Sequence, residues 1–417
     1  MQKQIKLIGP FKQLVSLRGL PMNGPLHDNQ LEIIENAGIL IQGDYIIAID
    51  NFNKLRKNLQ SNAVQIVLKG HFVVLPSYID CHSHIAFDGD RSRDFAIRNA
   101  GGSYLEIAAS GGGIWSTVMQ TRKCGLNKLT KLIHQRATVL LKQGITTIEV
   151  KSGYGLNIDQ EIKLLRAITQ ANINSKIDLV STCLAAHMLP HDYHGSNEDY
   201  LTEIANKLFP VLKAENLSNR IDAFIERSAF SAQQIRPYFQ KAKSMGFELC
   251  VHADQFTTSG SALAVEMKAL SADHLEASTE QEIKLLSKSN TVCVALPAAS
   301  LGLGCGFTPA RKLLDAGSIL AIATDWNPGS APMGKLLESA SILATMEKLS
   351  NAELFAGITF RAARALNLSD RGRLDKGFLA DFVIYKTDNY QLIPYLGGNI
   401  SPSQVWKNGK LAYSTNE

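Results

Sequence analysis

Two histidines separated by one serine, His82 and His84, follow an apolar run that has the composition of a buried strand. Side chains alternate in direction along a strand, so residues two positions apart point to the same side. Two imidazoles at one end of a strand can therefore bind a single metal ion, and neutral imidazole is the commonest metal ligand in proteins. The alternative is a pair of surface histidines in a loop, and residues farther along the chain favour the metal site.

Other polar residues also occur where apolar runs end, and these residues are His187, Glu226, His252, His274 and Asp325. If the runs are parallel strands of one barrel, their C-terminal ends meet at one mouth, where barrel enzymes place their active sites. Five of the ten histidines lie at such ends. We interpret this clustering as an active site.

Three imidazoles and one carboxylate of this group form a candidate metal site, and they are His82, His84, His252 and Asp325. Such a ligand set suits zinc or ferrous iron, so we expect one divalent metal ion per chain, bound with a water molecule that it activates. His274 and His187 then remain to polarise a substrate. Asp325 can also take a proton from the attacking water.

A site with two metals would need a bridging ligand, often a carboxylated lysine at a strand end. The fourth strand-like run ends in Glu226, and the only comparable lysine is Lys151, at the end of the second. We therefore favour one metal. Whether Glu226 or Lys151 takes part in catalysis stays open at this point.

Eight strand-like runs alternate with amphipathic stretches over residues 71–370, and this order is typical of a (β/α)8 barrel of the TIM type. The runs are centred at 74–79, 146–150, 179–184, 222–225, 248–251, 270–272, 292–296 and 319–323. Among the amphipathic stretches, 128–142 carries a helical stripe of leucine and isoleucine and stops before Gly144. A doubly wound sheet is the structural alternative.

The two ends of the chain, residues 1–70 and 371–417, contain short β patterns instead. Residues 38–49 predict two strands around a Gly-Asp turn, and residues 404–413 predict an Asn-Gly hairpin. Neither end is long enough for a core of its own. We predict an α/β protein in which both ends pair into one small β-sandwich module beside the barrel.

Composition excludes several classes of function. The chain has 417 residues, 45% hydrophobic and 19% charged, and a net charge of +5 without a basic stripe, so we expect no nucleic-acid partner. No apolar run is long enough to span a membrane. Six scattered cysteines without a C-x-x-C motif, and an N-terminus unlike a signal peptide, predict a cytoplasmic protein.

Over nearly its whole length the chain resembles the amidohydrolase superfamily, and most closely its cyclic-amide hydrolases. The matching segments are 80–84 (DCHSH), 89–91 (GDR), 111–114 (GGGI), 151–155 (KSGYG), 186–187 (AH), 251–255 (VHADQ), 271–275 (SADHL) and 324–330 (TDWNPGS). The HxH motif is shared by many hydrolases. The KSGYG and DWNPGS segments are much more specific.

This resemblance implies hydrolysis of 4-imidazolone-5-propanoate to N-formimidoyl-L-glutamate, a step of histidine degradation. It implies metal ligation by His82, His84, His252 and Asp325, and oxyanion stabilisation with the help of His274. The implied substrate contacts are Arg91, Tyr154, His187 and Gln255, with Asn327, Gly329 and Ser330 along the substrate or product tail. It also implies a small-molecule substrate with a carboxylate tail, and a homodimer.

Two residues bear on the substrate. A guanidinium binds a carboxylate through two hydrogen bonds, so Arg91 is the candidate clamp for the tail, although an ion pair with Asp90 or Asp94 is the alternative. Gln255 stands where deaminases of the superfamily carry a glutamate that shuttles protons, and a glutamine has no such proton. A heterocycle deaminase and a catalytically silent metal-binding homologue are the rival hypotheses.

Overall fold

The structure, a computed structural model, describes residues 4–59, 61–102, 106 and 111–415. The strands are β1 (Ile5–Val15), β2 (Ile33–Gln42), β3 (Tyr45–Asn51), β4 (Val64–Val67), β5 (Val73–Pro76), β6 (Tyr78–Asp80), β7 (Ile145–Lys151), β8 (Asp178–Ala186), β9 (Arg220–Phe224), β10 (Glu248–Ala253), β11 (Ser271–His274), β12 (Val292–Ala295), β13 (Leu320–Ile322), β14 (Phe382–Tyr385), β15 (Gln404–Lys407) and β16 (Lys410–Ser414).

The helices are α1 (Phe52–Lys57), α2 (Ser92–Asn99), α3 (Ile114–Lys123), α4 (Leu126–Lys142), α5 (Ile158–Ile173), α6 (Asn197–Ala214), α7 (Ala232–Ser244), α8 (Gly260–Glu266), α9 (Glu280–Leu286), α10 (Pro297–Leu303), α11 (Ala310–Asp315), α12 (Leu336–Glu347), α13 (Asn351–Gly357), α14 (Phe360–Ala365) and α15 (Leu392–Tyr395), with a short 3-10 helix at Asp28–Gln30. Within the described residues, no helix combines the length and apolar character that a bilayer crossing requires.

Strands β6 to β13 form one parallel sheet in the order of the sequence. Its two edges meet just beyond β6 and β13, where Ser83 and Trp326 form a parallel bridge. There the Asp325 amide donates to the His82 carbonyl at 3.0 Å, and the His84 amide donates to the Trp326 carbonyl at 2.9 Å. The predicted (β/α)8 barrel is confirmed, and the doubly wound alternative is wrong because the strand order never reverses.

The helices cover the outside of this barrel, and the amphipathic stretch expected at 128–142 shows why. It forms α4, in which Leu129, Ile133, Ala137 and Leu140 are buried along one stripe. The helix is followed by Gly144, whose φ of +95° lies in the region that favours glycine. The 3.6-residue spacing of the apolar side chains thus predicts both the helix and its inward face.

Strands from both ends of the chain, β1 to β5 and β14 to β16, form one mixed sheet. The long strand β1 connects its parts, because the first half pairs with β4 and the second half with β5. Side chains from six of its strands, β1, β2, β3, β5, β14 and β15, pack into a separate apolar cluster that includes Phe11, Ile39, Ile46, Val74 and Phe382. The predicted module built from both termini is confirmed.

The first barrel strand differs from its prediction. The run at 74–79 was expected as one barrel strand, whereas Val73–Pro76 pairs with β1 and β14 in the module, and only Tyr78–Asp80 belongs to the barrel. The change of sheet occurs at one residue: the Ser77 amide donates to Asp381, and the Tyr78 amide donates to Gly144. Both strands are fully buried, so their hydrophobicity does not reveal which sheet each joins.

One buried hydrogen bond joins the barrel to the module, and it offers a test of this packing. The hydroxyls of Tyr78 and Tyr385 lie 2.9 Å apart, and both side chains are fully buried. We expect Tyr385→Phe to lower the free energy of unfolding by about 1–3 kcal/mol, because the Tyr78 hydroxyl loses its partner without gaining water. The measurement is urea denaturation of the purified protein.

The double variant Tyr78→Phe/Tyr385→Phe is the control. Removing both hydroxyls leaves no unpaired group, so we expect it to be more stable than the sum of the two single losses predicts. Strictly additive losses would contradict a direct hydrogen bond between barrel and module.

Candidate metal-dependent active site

Three imidazoles and one carboxylate meet at the barrel mouth. The Nε2 atom of His84 lies 3.2 Å from the Nε2 atoms of both His82 and His252. The Oδ1 atom of Asp325 lies 3.4 Å from the Nε2 of His82 and 3.3 Å from that of His84. Four donors in a tetrahedron around zinc, at the usual zinc–nitrogen distance of 2.0–2.1 Å, lie roughly 3.3 Å apart. The spacing of the predicted ligands therefore fits one metal ion.

The protonation of these rings also fits a cation. His82 Nδ1 lies 2.7 Å from Asp273 Oδ2, and His252 Nδ1 lies 3.0 Å from Asp222 Oδ2. Because a carboxylate can only accept, the hydrogen bond at His82 places the ring proton on Nδ1 and leaves Nε2 with its lone pair, and the Asp222 contact favours the same arrangement at His252. Lone pairs that face each other in a buried site repel unless a cation lies between them. Asp325 Oδ1 is likewise buried without a hydrogen-bond partner among the described residues.

The acidic ligand is ionised. Burial alone would raise the pKa of Asp325, but the contacts with His82 and His84 lower it well below its ordinary value. Its backbone has a φ of +49°, a left-handed conformation that is uncommon for a residue with a side chain. The hydrogen bond from its amide to the His82 carbonyl helps to hold this conformation. The carboxylate is thereby fixed beside two of the three imidazoles.

Lys151 does not offer a bridging ligand. Its Nζ lies 2.8 Å from both Asp222 Oδ2 and Glu149 Oε2, inside the barrel, and the side chain has no exposed surface. An amine held between two carboxylates is not free to be carboxylated. This arrangement supports the single metal expected from the sequence.

Two further histidines flank the ligands. His187 stacks on His84 with ring centroids 5.7 Å apart, and its Nδ1 lies 3.0 Å from the carbonyl of Gly153. Burial and the neighbouring His252 lower the pKa of His187 to about 4, so its ring is neutral with Nε2 free to accept. His274 lies 5.4 Å from His252, centroid to centroid, and lines the same cavity.

The cavity above the ligands measures about 500 Å³. All the predicted site residues except His82 line it, and they are His84, Arg91, Tyr154, His187, His252, Gln255, His274, Asp325, Asn327, Gly329 and Ser330. His82 lies directly behind His84 and is completely buried. Eleven residues predicted from separate segments are thus brought together in one place.

Arg91 extends towards the loop that follows the last barrel strand. Its Nε donates to Asp94 Oδ2 at 2.6 Å, so the ion pair named as the alternative does form. A Cβ atom added to Gly329 would lie 2.7 Å from Arg91 Nη1, so the guanidinium occupies space that only glycine leaves free. The same Asp94 oxygen also accepts from the Gly113 amide. Asp94 thus orients Arg91 through Nε, and Nη1 lies against Gly329.

Asn327 has a structural task in this loop. Its Nδ2 donates to the Asp325 carbonyl at 2.8 Å and to Ser330 Oγ at 2.9 Å. Its Oδ1 accepts from the amides of Gly329 and Ser330 at 2.7 and 2.8 Å. The side chain that is expected to line the substrate tail therefore also connects the candidate ligand Asp325 with the loop against Arg91.

Gln255 lies in a loop that two carboxylates hold from opposite sides. Glu226 accepts from the amides of Phe256 and Thr257 at 2.9 and 3.0 Å. Asp254 accepts from the amides of Ser259 and Gly260 at 3.0 and 2.9 Å. Glu226 is not among the described residues that line the cavity. Its contacts hold the loop that carries Gln255.

The sequence reasoning missed several residues of the site. Arg98 lines the cavity seven positions after Arg91 on α2, which is a helical spacing that could have indicated it. Phe224 and Met188 provide apolar walls. Asp222 and Asp273 contact the candidate ligands His252 and His82. A charged residue inside an otherwise apolar strand is the sequence pattern that could have indicated them.

Comparison with known proteins agrees with this geometry. A model of the amidohydrolase family matches residues 73–412. The imidazolonepropionase of Bdellovibrio bacteriovorus is 39% identical over 394 residues, which cover 94% of this chain and 92% of that protein. The imidazolonepropionase of Acinetobacter baumannii strain AB307-0294 is 39% identical over 389 residues, covering 92% and 96%. This chain belongs to the imidazolonepropionase branch of the amidohydrolase family. The resemblance read from the motifs is thus confirmed.

Solved structures support the fold of this amidohydrolase. The zinc complex of atrazine chlorohydrolase from Arthrobacter aurescens TC1 matches with a TM-score of 0.70 and 17% identity, over 99% of this chain and 96% of that chain. An A. niger ochratoxinase matches with a TM-score of 0.71 and 15% identity, over the same shares. At such identities the likeness concerns the fold alone.

The donor set predicts how metal and activity depend on each other. We expect about one metal ion per chain by elemental analysis, as in other catalytic sites with one metal. His82→Ala should lose bound metal, because one of the three imidazoles and its Asp273 contact disappear together. His134→Ala, a half-buried histidine on α4, is the matched control and should keep its metal. A His82→Ala protein with a full metal complement would show that the HxH pair is not the site.

Proposed function

We propose that this amidohydrolase hydrolyses 4-imidazolone-5-propanoate to N-formimidoyl-L-glutamate, as a step of L-histidine degradation. Water adds to the ring carbonyl carbon, the bond from that carbon to the ring nitrogen breaks, and the nitrogen takes up a proton. What supports this proposal most is the His82, His84, His252 and Asp325 set at the base of a cavity that has Arg91 in its wall. The 39% identity to proteins named imidazolonepropionase supports it independently.

Each step has a candidate residue. A metal ion held by the four ligands would lower the pKa of a bound water and polarise the carbonyl. Asp325 is ionised beside this position, so its second oxygen can accept the proton of the attacking water and pass it to the leaving nitrogen. His274 lies at the same wall of the cavity, where it can donate to the developing oxyanion.

The remaining residues orient the substrate. Tyr154 and neutral His187 form one aromatic wall, with ring centroids 5.7 Å apart. Gln255 can donate to one ring atom and accept from another, which fixes the orientation of the imidazolone without moving a proton. Arg91 is the candidate partner for the propanoate tail, since Asp94 occupies only its Nε. Asn327, Gly329 and Ser330 line the same end of the cavity.

The rival deaminase hypothesis is less well supported. A deaminase on this scaffold needs a proton shuttle where Gln255 stands, and glutamine cannot serve as one at neutral pH. The hypothesis of a catalytically silent homologue conflicts with a complete donor set and a buried, ionised Asp325. Hydrolysis of the cyclic amide uses all of these groups.

We further propose that the metal is zinc or ferrous iron, both of which accept three nitrogen ligands and one oxygen ligand. The six cysteines are all unpaired, which is consistent with the proposed cytoplasmic location. We also propose that the protein is a homodimer. Its partner is a small-molecule substrate with a carboxylate tail, and it binds neither nucleic acid nor membranes.

A turnover assay tests the reaction. The purified protein with its metal is mixed with imidazolonepropionate, and loss of the ultraviolet absorbance of the substrate is followed over time. We expect N-formimidoyl-L-glutamate to accumulate in proportion to this loss. A parallel panel of purines and pyrimidines should release no ammonia. Ammonia release from that panel, without loss of the imidazolone, would favour the deaminase instead.

Arg91 allows a sharper test of the substrate. Arg91→Ala should weaken the binding of imidazolonepropionate about ten- to a hundredfold, since the loss of a hydrogen bond to a charged partner costs roughly 1.5–3 kcal/mol. An imidazolone without the propanoate tail should be affected far less, because it has no carboxylate for the guanidinium to bind. The measurement is KM and kcat for both compounds.

Arg236→Ala is the matched control, because Arg236 pairs with Glu266 and does not line the cavity among the described residues. It should leave the preference between the two compounds unchanged. Equal losses for both compounds in Arg91→Ala would mean that Arg91 supports the fold or the metal site. Unchanged kinetics for both would place the carboxylate pocket elsewhere.

A further inference from the structure

A single buried lysine lies behind the candidate metal site. Lys151 ends β7 and points into the barrel on the same side as Glu149, two positions earlier. Its Nζ lies 2.8 Å from Asp222 Oδ2, 2.8 Å from Glu149 Oε2 and 3.6 Å from Asp273 Oδ2. All four side chains are at most 1% exposed. Three carboxylates on three different strands thus share one ammonium group.

Two of these carboxylates contact metal-site imidazoles with the same oxygen that faces the lysine. Asp273 Oδ2 lies 2.7 Å from Nδ1 of His82, and Asp222 Oδ2 lies 3.0 Å from Nδ1 of His252. Two series of contacts therefore run from the ammonium through a carboxylate to an imidazole, and the lysine contact is short on the Asp222 side and longer on the Asp273 side. Both series end at the Nε2 atoms that face the proposed metal.

Electrostatics explains why the lysine is needed there. A carboxylate buried without a cation is strongly disfavoured, and two of them in one barrel also repel each other. Burial would lower the pKa of Lys151, but Asp222, Glu149 and Asp273 raise it well above its ordinary value, so the side chain keeps its charge. The ammonium thereby stabilises both carboxylates at once.

We propose that Lys151 is a positioning residue for the metal site, which holds His82 and His252 in their metal-binding orientation through Asp273 and Asp222. The proposal rests on the function proposed above, because it presupposes the metal site. Lys151 does not act on substrate, since it is not among the described residues that line the cavity. It does not ligate the metal, since its three partners surround the ammonium.

Metal affinity is the quantity that tests this role. The protein with bound metal is titrated with a chromophoric zinc chelator, and the equilibrium gives the affinity of the site. Lys151→Met keeps the length of the side chain and removes the charge. We expect its zinc affinity to fall about ten- to a hundredfold, the usual effect of losing a partner behind a metal ligand. Lys151→Gln removes the charge with less disturbance, keeps a hydrogen-bond donor and should show a loss of the same order.

Lys407 provides a matched control within the module. It is also a buried lysine between two carboxylates, with Nζ 2.8 Å from Asp178 and 2.7 Å from Asp381 and only 6% of its side chain exposed. Lys407→Met should lower the stability of the fold while leaving zinc affinity unchanged. If Lys151 contributed only to stability, Lys151→Met and Lys407→Met would both be less stable and both would keep the zinc affinity of the wild type.

The outcomes separate this proposal from the proposed function. If wild type hydrolyses imidazolonepropionate and Lys151→Gln binds zinc as tightly as wild type, the positioning role is wrong and the function stands. If Lys151→Gln loses zinc affinity while wild type hydrolyses no imidazolone, the positioning role stands and the function is wrong. Should Lys151→Met fail to fold, Lys151→Gln alone decides. An equal loss of zinc affinity in Lys407→Met would also overturn the proposal.

Discussion

For the proposed metal site, the lone pairs of three imidazoles must face one point inside a buried cavity, and much of the structure around them serves this arrangement. An imidazole ring left to itself can rotate or change its tautomer, so that a proton faces its neighbour. Here Asp273 and Asp222 hold the opposite nitrogens of His82 and His252. The carboxylates in turn require a cation, which is Lys151. The arrangement of the imidazoles at the barrel mouth thus depends on charged side chains inside the barrel.

Unusual backbone conformations also help to position the side chains of the site. His274 and Asp325 have φ angles of +86° and +49°, and neither is glycine. Such conformations cost of the order of 1–3 kcal/mol each and persist only where their surroundings fix them. At Asp325 two contacts provide this support: the hydrogen bond from its amide to the His82 carbonyl, and the hydrogen bond that its carbonyl accepts from the Asn327 side chain. The strain falls on residues that the proposed chemistry uses.

Much of the site could be predicted from the sequence, because strand ends are local patterns and barrel geometry places all of them at one mouth. His82, His252 and Asp325 could be predicted as candidate ligands without any information about their contacts. The support behind them could not be predicted in the same way. Whether Lys151 reaches Asp222 depends on the relative register of strands about 70 residues apart, which no local pattern contains. The change of sheet at Ser77 was also missed, because equally buried strands lie on both sides of it.

One short loop, residues 325–330, both follows the strand that closes the barrel and lies against the candidate substrate-binding residue Arg91. Asp325, next to the bridge that joins the first and last barrel strands, is the proposed carboxylate ligand, and Gly329, four residues later, packs against the guanidinium of Arg91. Asn327 braces the loop between them through both ends of its amide. The distance from the proposed reacting centre to the group that would bind the carboxylate is therefore set by a turn held by four hydrogen bonds of Asn327. With Arg91 as the proposed partner of the tail, a substrate would be selected by the separation of its scissile carbonyl from its carboxylate as well as by its ring, because a shorter or longer tail could not reach both groups at once.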